Sequence, residues 1–157
     1  MDIQLILGPN NSGKSLYAEN LATQNTSSPL IYLATMIPQT EENNQRIKKH
    51  IQQRDGKGFQ TIEEPWNIHT LAIPQDSVVL LEDASNLLAN GIFLHHSDAA
   101  ECFQRISSLA NQCRKLIIVT IDGLIEGNYD EETNNYIRQL NELNSMLEDI
   151  STYRKKF

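Results

Sequence analysis

The chain has 157 residues, 39% apolar and 21% charged, a balance that suits one soluble domain spanning residues 1–157 with a real core. Its 13 Lys and Arg against 20 Asp and Glu give a formal charge of −7, which argues against diffuse binding to nucleic acid or a membrane surface. No apolar run approaches the roughly 20 residues of a membrane span, and Met1-Asp2-Ile3-Gln4 lacks the basic start of a signal peptide, so a cytoplasmic protein is expected.

Ile3 to Leu7 is a short apolar run closed by Gly8. From Gly13 to about Gln24, Leu16, Tyr17, Leu21 and Ala22 recur at helical spacing. Asn25 to Pro29 has loop composition, and Leu30 to Ala34 reads as a second strand. Residues 36 to 58 are very polar; only Ile47 and Ile51 recur at i, i+4, so a helix there has a thin apolar stripe. Val78 to Leu81 is a third apolar run, closed by Glu82-Asp83.

Residues 99 to 113 place Cys102, Phe103, Ile106, Leu109, Ala110 and Cys113 on one helical face. Two cysteines 11 apart on a helix stand roughly 16 Å from each other, too far for a disulfide, so both are expected as buried thiols of a reducing compartment. Leu116 to Ile121 is a fourth, β-branched run. Tyr136, Leu140, Leu143, Leu147 and Ile150 are spaced 4, 3, 4, 3, a helix. Short buried strands alternating with helices predict an α/β fold around a mostly parallel sheet.

Gly8-Pro9-Asn10-Asn11-Ser12-Gly13-Lys14-Ser15 matches G-x-x-x-x-G-K-[ST] in full, between a strand and a helix. Such a loop turns successive backbone N–H groups inward around a phosphate. Gly8 and Gly13 permit backbone angles that a side chain obstructs, and the helix that follows offers its positive end to the anion. Lys14 would reach the terminal phosphates of GTP or ATP and Ser15 would ligate Mg²⁺. The motif implies a P-loop NTPase, a RecA-like three-layer fold. A second metal-holding carboxylate is expected after a later strand. Glu82 fits; Asp122, after Ile117 to Ile121, is a weaker candidate.

His50 follows Arg46 by four residues on the polar helix, among Lys48, Lys49, Arg54 and Lys57. A neutral imidazole there could attack phosphorus, although composition alone favours a solvated helix with an incidental histidine. His69, His95 and His96 show no metal-ligand spacing and are read as structural or exposed.

These pieces, in order, resemble the bifunctional adenosylcobinamide kinase / adenosylcobinamide-phosphate guanylyltransferase family of cobalamin biosynthesis. Ile6 to Ser15 followed by Tyr17-Ala18-Glu19 is similar to its phosphate loop and first helix. Ile31 to Thr35 resembles its second strand, and Arg46-Ile47-x-x-His50 with Arg54 its histidine helix. Phe59 to Pro65 resembles the next strand, and Val79 to Glu82 with Asn86-Leu87-Leu88-x-Asn90 its acidic strand end and loop. The resemblance is carried by residues 3 to about 90.

It implies phosphorylation of adenosylcobinamide, then transfer of GMP from GTP to the resulting phosphate through a GMP–histidine intermediate. His50 would be the nucleophile. Gly8, Pro9, Asn10, Asn11, Ser12, Gly13, Lys14 and Ser15 would hold the triphosphate. Ala34, Thr35, Ile51, Gln52, Gln53, Arg54, Glu63 and Glu82 would complete the nucleotide site. The family assembles as symmetric homo-oligomers, trimers among them. The chain departs from it at Pro9-Asn10-Asn11, where the family has Gly-Ala-Arg, and after Thr120. It ends in Tyr153-Arg154-Lys155-Lys156-Phe157, too polar for a central strand, so the family's last core strand is expected to be missing. Two other readings stay open: a different small-molecule P-loop kinase, for which His50 is dispensable, and a nucleotide-binding relative without catalysis.

Overall fold

The first apolar run forms strand β1 (Ile3–Gly8), and alternation along it sorts the core into two layers. Ile3, Leu5 and Leu7 enter a large cluster with Leu87, Leu88, Ile106, Leu109, Leu140 and Leu147, whereas Ile6 enters a smaller one with Ala18, Ala22, Tyr32 and Val119. The computed structural model describes residues 1–24, 27–38 and 40–157. Asn25 and Thr26, at the start of the segment read as loop, lie outside the described residues, as does Gln39.

After β1 come α1 (Lys14–Thr23), β2 (Leu30–Ala34), α2 (Glu41–Arg54), β3 (Phe59–Glu63), a 3-10 turn (Ile68–Thr70) and β4 (Val78–Glu82). Then follow α3 (Ala84–His95), α4 (Ala99–Ala110), β5 (Lys115–Ile121), α5 (Glu131–Ile150) and β6 (Tyr153–Lys156). Among the described residues the six strands form one sheet in the order β3-β2-β4-β5-β1-β6. Every pairing is parallel, so the sheet is parallel throughout rather than mostly. Helices α3, α4 and α5 pack on one face and α1 on the other, the three layers expected of a P-loop NTPase. The polar α2 buries no residue and belongs to neither core cluster. No helix is long and apolar enough to cross a membrane among the described residues.

The terminal segment corrects the sequence reading. Tyr153–Lys156 is a strand, β6, paired in parallel with β1 at the sheet edge. It can be polar because an edge strand needs backbone pairing more than burial, and all four of its residues are exposed. Its side chains still find partners by alternation. The Tyr153 and Tyr17 hydroxyls lie 2.5 Å apart, Lys155 Nζ stands 5.9 Å from the Tyr17 ring centroid, and the Phe157 ring packs edge-on against Tyr17 at 5.4 Å. Arg154 and Lys156 point the other way, each 3.5 Å from the Glu148 carboxylate on α5.

Two smaller corrections concern helices. Residues 84–95 carry no clear helical period, yet α3 forms there. Asp83 caps it, its carboxylate accepting from the Asn86 N–H at 2.7 Å. Gly91 lets the helix lie against Trp66: a Cβ at this position would stand 2.5 Å from Trp66 Cη2 and Cζ3. Conversely α4 ends at Ala110, so Cys113 lies beyond the helix, half-buried; Cys102 is buried, and both are free.

Gly91→Ala therefore has two opposed effects. Alanine's helix preference adds up to about 1 kcal/mol, and overpacking against the indole removes about 1–3 kcal/mol. A net loss of roughly 1–2 kcal/mol is expected in urea unfolding followed by fluorescence of Trp66, the chain's one tryptophan.

Candidate active site

The phosphate loop leaves the end of β1 and re-enters helix at Lys14. Gly13 takes the left-handed conformation (φ 88°) that this reversal requires. Asn10, Asn11, Ser12, Gly13, Lys14 and Ser15 line one wall of a cleft of about 600 Å³. Lys14 is buried, and its ammonium donates to the Pro9 carbonyl at 2.9 Å, across its own loop. Gly8 lies below, inside the sheet, with the loop's Ser12 and Phe157 of the terminal segment packed around it.

The floor is the end of β4. Glu82 is buried, and the Ser15 hydroxyl beside it favours its charged form. Burial first, and the Asp83 charge second, push its carboxyl up to about 8, against the pull of Ser15 and Lys14. Asp83 is also raised by burial, with the Asn86 N–H and the Ser85 hydroxyl acting in the opposite direction. The adjacent acids thus do different work. Asp83 caps α3, whereas Glu82 faces the loop with Oε1 buried and unpartnered.

Thr35 sits behind them rather than in the cleft. Its hydroxyl accepts from the Asp83 N–H at 3.1 Å and lies 3.1 Å from the Glu82 and Asp83 carbonyls. The Glu82–Asp83 peptide it braces is cis. Asp122 does not line the cleft.

The opposite wall is α2. Arg46, Lys49, His50, Gln53 and Arg54 line the cleft, while Ile51 and Gln52 are exposed outside it. Arg54 lies with Cζ 3.8 Å from the centroid of the Tyr32 ring, and its Nε donates to the Thr61 hydroxyl at 3.2 Å. Tyr32 is itself part of the lining, with Ala34 and Glu63 at the ends of β2 and β3. His50 is half-buried and its pKa is lowered, by burial first, with Arg46 and Arg54 adding to the shift and Glu19 and Asp83 opposing it. The ring is thus held neutral at neutral pH. Its Nδ1 is covered and without a hydrogen-bond partner. Lys48 is exposed, and Lys57 turns away to Glu19. The other histidines are elsewhere: His95 stacks on Trp66, and the carbonyl of His69 accepts from Gln112.

Among the described residues, five buried side-chain polar atoms lack a partner, and three of them, on Ser12, His50 and Glu82, belong to this cleft. Buried orphans are rare in folded proteins, so their gathering marks a surface shaped for a polar ligand. No group of three or more His, Cys, Asp or Glu among the described residues could hold a metal by itself. The Ser15–Glu82 pair instead suits Mg²⁺, which binds through one or two protein oxygens and completes its shell with water and substrate phosphates.

Sequence reasoning missed Tyr32, Glu19 and Phe157 as contributors here. Tyr32 sits in a strand run, Glu19 in a helix and Phe157 at the terminus, and no spacing links them to the loop. None of the curated proteins matches the chain. The family model described as cobinamide kinase / cobinamide phosphate guanyltransferase matches residues 4–153, far past residue 90 and into β6. The chain belongs to the cobinamide kinase / cobinamide phosphate guanyltransferase family.

Proposed function

We propose that the chain acts as one nucleotide-binding domain that phosphorylates adenosylcobinamide and then transfers GMP from GTP to adenosylcobinamide phosphate through His50. The observation that carries this reading is the placement of a neutral imidazole on the wall facing the phosphate loop. An incidental histidine on a solvated helix has no reason to be half-buried beside a triphosphate cradle.

The cleft suggests the division of labour. The loop N–H groups of residues 10 to 15 and Lys14 hold the β- and γ-phosphates, Lys14 exchanging its Pro9 carbonyl for a phosphate oxygen. Ser15 and Glu82 would hold Mg²⁺, which when bound offsets charge on the departing phosphates. Arg46, Lys49 and Arg54 supply further positive charge in an otherwise acidic protein. Gln53, Glu63 and Ala34 line the part of the cleft left for the nucleoside, with Ile51, Gln52 and Thr35 contributing through backbone or support.

With Nδ1 covered, attack falls to Nε2 of His50. A P–N bond forms at the α-phosphorus, and the bond to the bridging oxygen breaks. Pyrophosphate leaves with that electron pair. In the second step an oxygen of the acceptor phosphate forms a P–O bond at the same phosphorus, the P–N bond breaks, and the imidazole returns neutral. In the kinase step the acceptor hydroxyl oxygen bonds to the γ-phosphorus instead, and the bond from that phosphorus to the β,γ-bridging oxygen breaks. The nucleoside diphosphate leaves with the electron pair, the hydroxyl proton passes to solvent, and His50 has no covalent part.

GTP labelled at the α-phosphate should leave acid-labile label on the wild-type protein and none on His50→Ala. Absence of label on the wild type with Mg²⁺ present would sink the covalent mechanism. Lys14→Ala should cut both half-reactions by about 100-fold or more, as expected for loss of one strong phosphate donor. A γ-transfer activity lost in Lys14→Ala but indifferent to His50→Ala would favour a plain P-loop kinase.

The lowered pKa of His50 sets a pH signature. The nucleophile is the neutral form, so the labelling rate should be flat above pH about 6.5, the ordinary histidine value, and fall only in more acidic buffer. A rate still climbing between pH 7 and 8 would contradict this assignment of the base form.

A further inference from the structure

One buried carboxylate joins α1 to α2. Glu19 has no exposed surface, and both its oxygens are taken by groups from the end of α2 and the turn just after it. Oε2 accepts from Gln53 Nε2 at 2.5 Å, and Oε1 accepts from the Lys57 ammonium at 3.1 Å. A carboxylate removed from water needs such partners, and they need it in return. Helix α2 has little else to hold it, since it buries no residue. Its other attachment at this end is Arg54, laid over Tyr32 and bonded to Thr61. Gln53 and Arg54 stand three and four residues after His50, the spacing that puts them on its side of the helix.

We propose that Glu19 is the positioning residue for His50, anchoring the end of α2 to α1 through Gln53 and, just past the helix, Lys57. The inference rests on reading His50 as the nucleophile. The charged groups acting on His50 come from three elements: Arg46 and Arg54 on its own helix, Glu19 on α1, and Asp83 after β4. Glu19 is the largest of them and the one that most favours positive charge on the ring. That charge develops as the imidazole bonds to phosphorus, so the anchor also acts in the chemistry. The anchor's polar character matters too. A helix pinned by one carboxylate and one cation–π contact can be held in register yet released as a unit, which an apolar seam does not allow.

Two substitutions in the full-length protein test this. Glu19→Gln keeps the shape and removes the charge; Lys57→Met removes the ammonium from a partly exposed position and spares the core. Hydrogen exchange of the α2 amides should quicken in both, with β1, β4 and β5 unchanged. The titration midpoint of the His50 ring protons should move down in Glu19→Gln. Labelling from α-labelled GTP should slow by about 10- to 100-fold, the effect of a small misplacement of a reacting group, with GTP affinity retained. The double variant should lose little beyond the larger single loss, because the two groups act as one contact. Unchanged α2 exchange with an unmoved His50 midpoint would overturn the proposal. So would GTP affinity and labelling falling together with global stability, the mark of a merely structural carboxylate. If wild-type protein takes no label, the transfer reading fails, while exchange and titration still decide the anchor.

Discussion

The site depends on a constraint of direction: every strand of the sheet runs the same way. Parallel pairing in near register brings the last residues of five strands, β1 to β5, to one edge. Ala34 pairs with Glu82 on one side and Glu63 on the other, while Gly8 and Glu82 pair with Ile121 and Val119 of the intervening β5. The same edge receives the first turns of α1 and α3, with Gly13 and Asp83 at their N-terminal caps. In open parallel sheets this carboxyl edge is where ligands bind, because the chain must leave each strand there in a loop. The phosphate loop and the buried glutamate stand far apart in sequence, and β5 fixes the gap between them.

Charge is arranged against the overall field. The protein carries −7, yet the cleft gathers Lys14, Arg46, Lys49 and Arg54, with exposed Glu42 and Glu63, around two buried acids, Glu82 and Asp83. Those acids are buried at the strand end, one loaded with capping a helix and the other facing Ser15. Burial raises both, and the loop lysine offsets part of the cost. The result is a cleft whose positive charge is local and geometric, set by backbone and a few cations rather than by net charge.

Much of this was legible in the sequence, for identifiable reasons. β1, β2, β4 and β5 are apolar runs because both faces of a parallel sheet are covered. α5 announces itself through the 4, 3, 4, 3 spacing of Tyr136 to Ile150, and the loop through Gly8, Gly13, Lys14 and Ser15. What stayed hidden depends on tertiary contact. α3 is stabilised by its Asp83 cap and by the close approach of Gly91 to Trp66, neither of which leaves a period. Glu19 looks like one more charge on an amphipathic helix until α2 folds over it. β6 is hidden in the sequence because its polarity is that of an edge strand, not a central one. An edge strand answers to its neighbour's backbone, and β1 supplies Thr152-to-Phe157 pairing through Ile3 to Leu7.

β6 also bears on how the molecule behaves in company. Its outer side offers the open hydrogen-bonding row of a sheet edge, the kind of surface on which another chain can grow a strand. Arg154, Lys155 and Lys156 stand in succession along it. A second copy approaching edge to edge would bring two such runs of cations together, and their repulsion discourages that pairing. The polarity that disguises this strand in the sequence thus serves as a safeguard against aggregation, on a chain whose inner strands β1, β2, β4 and β5 are largely apolar.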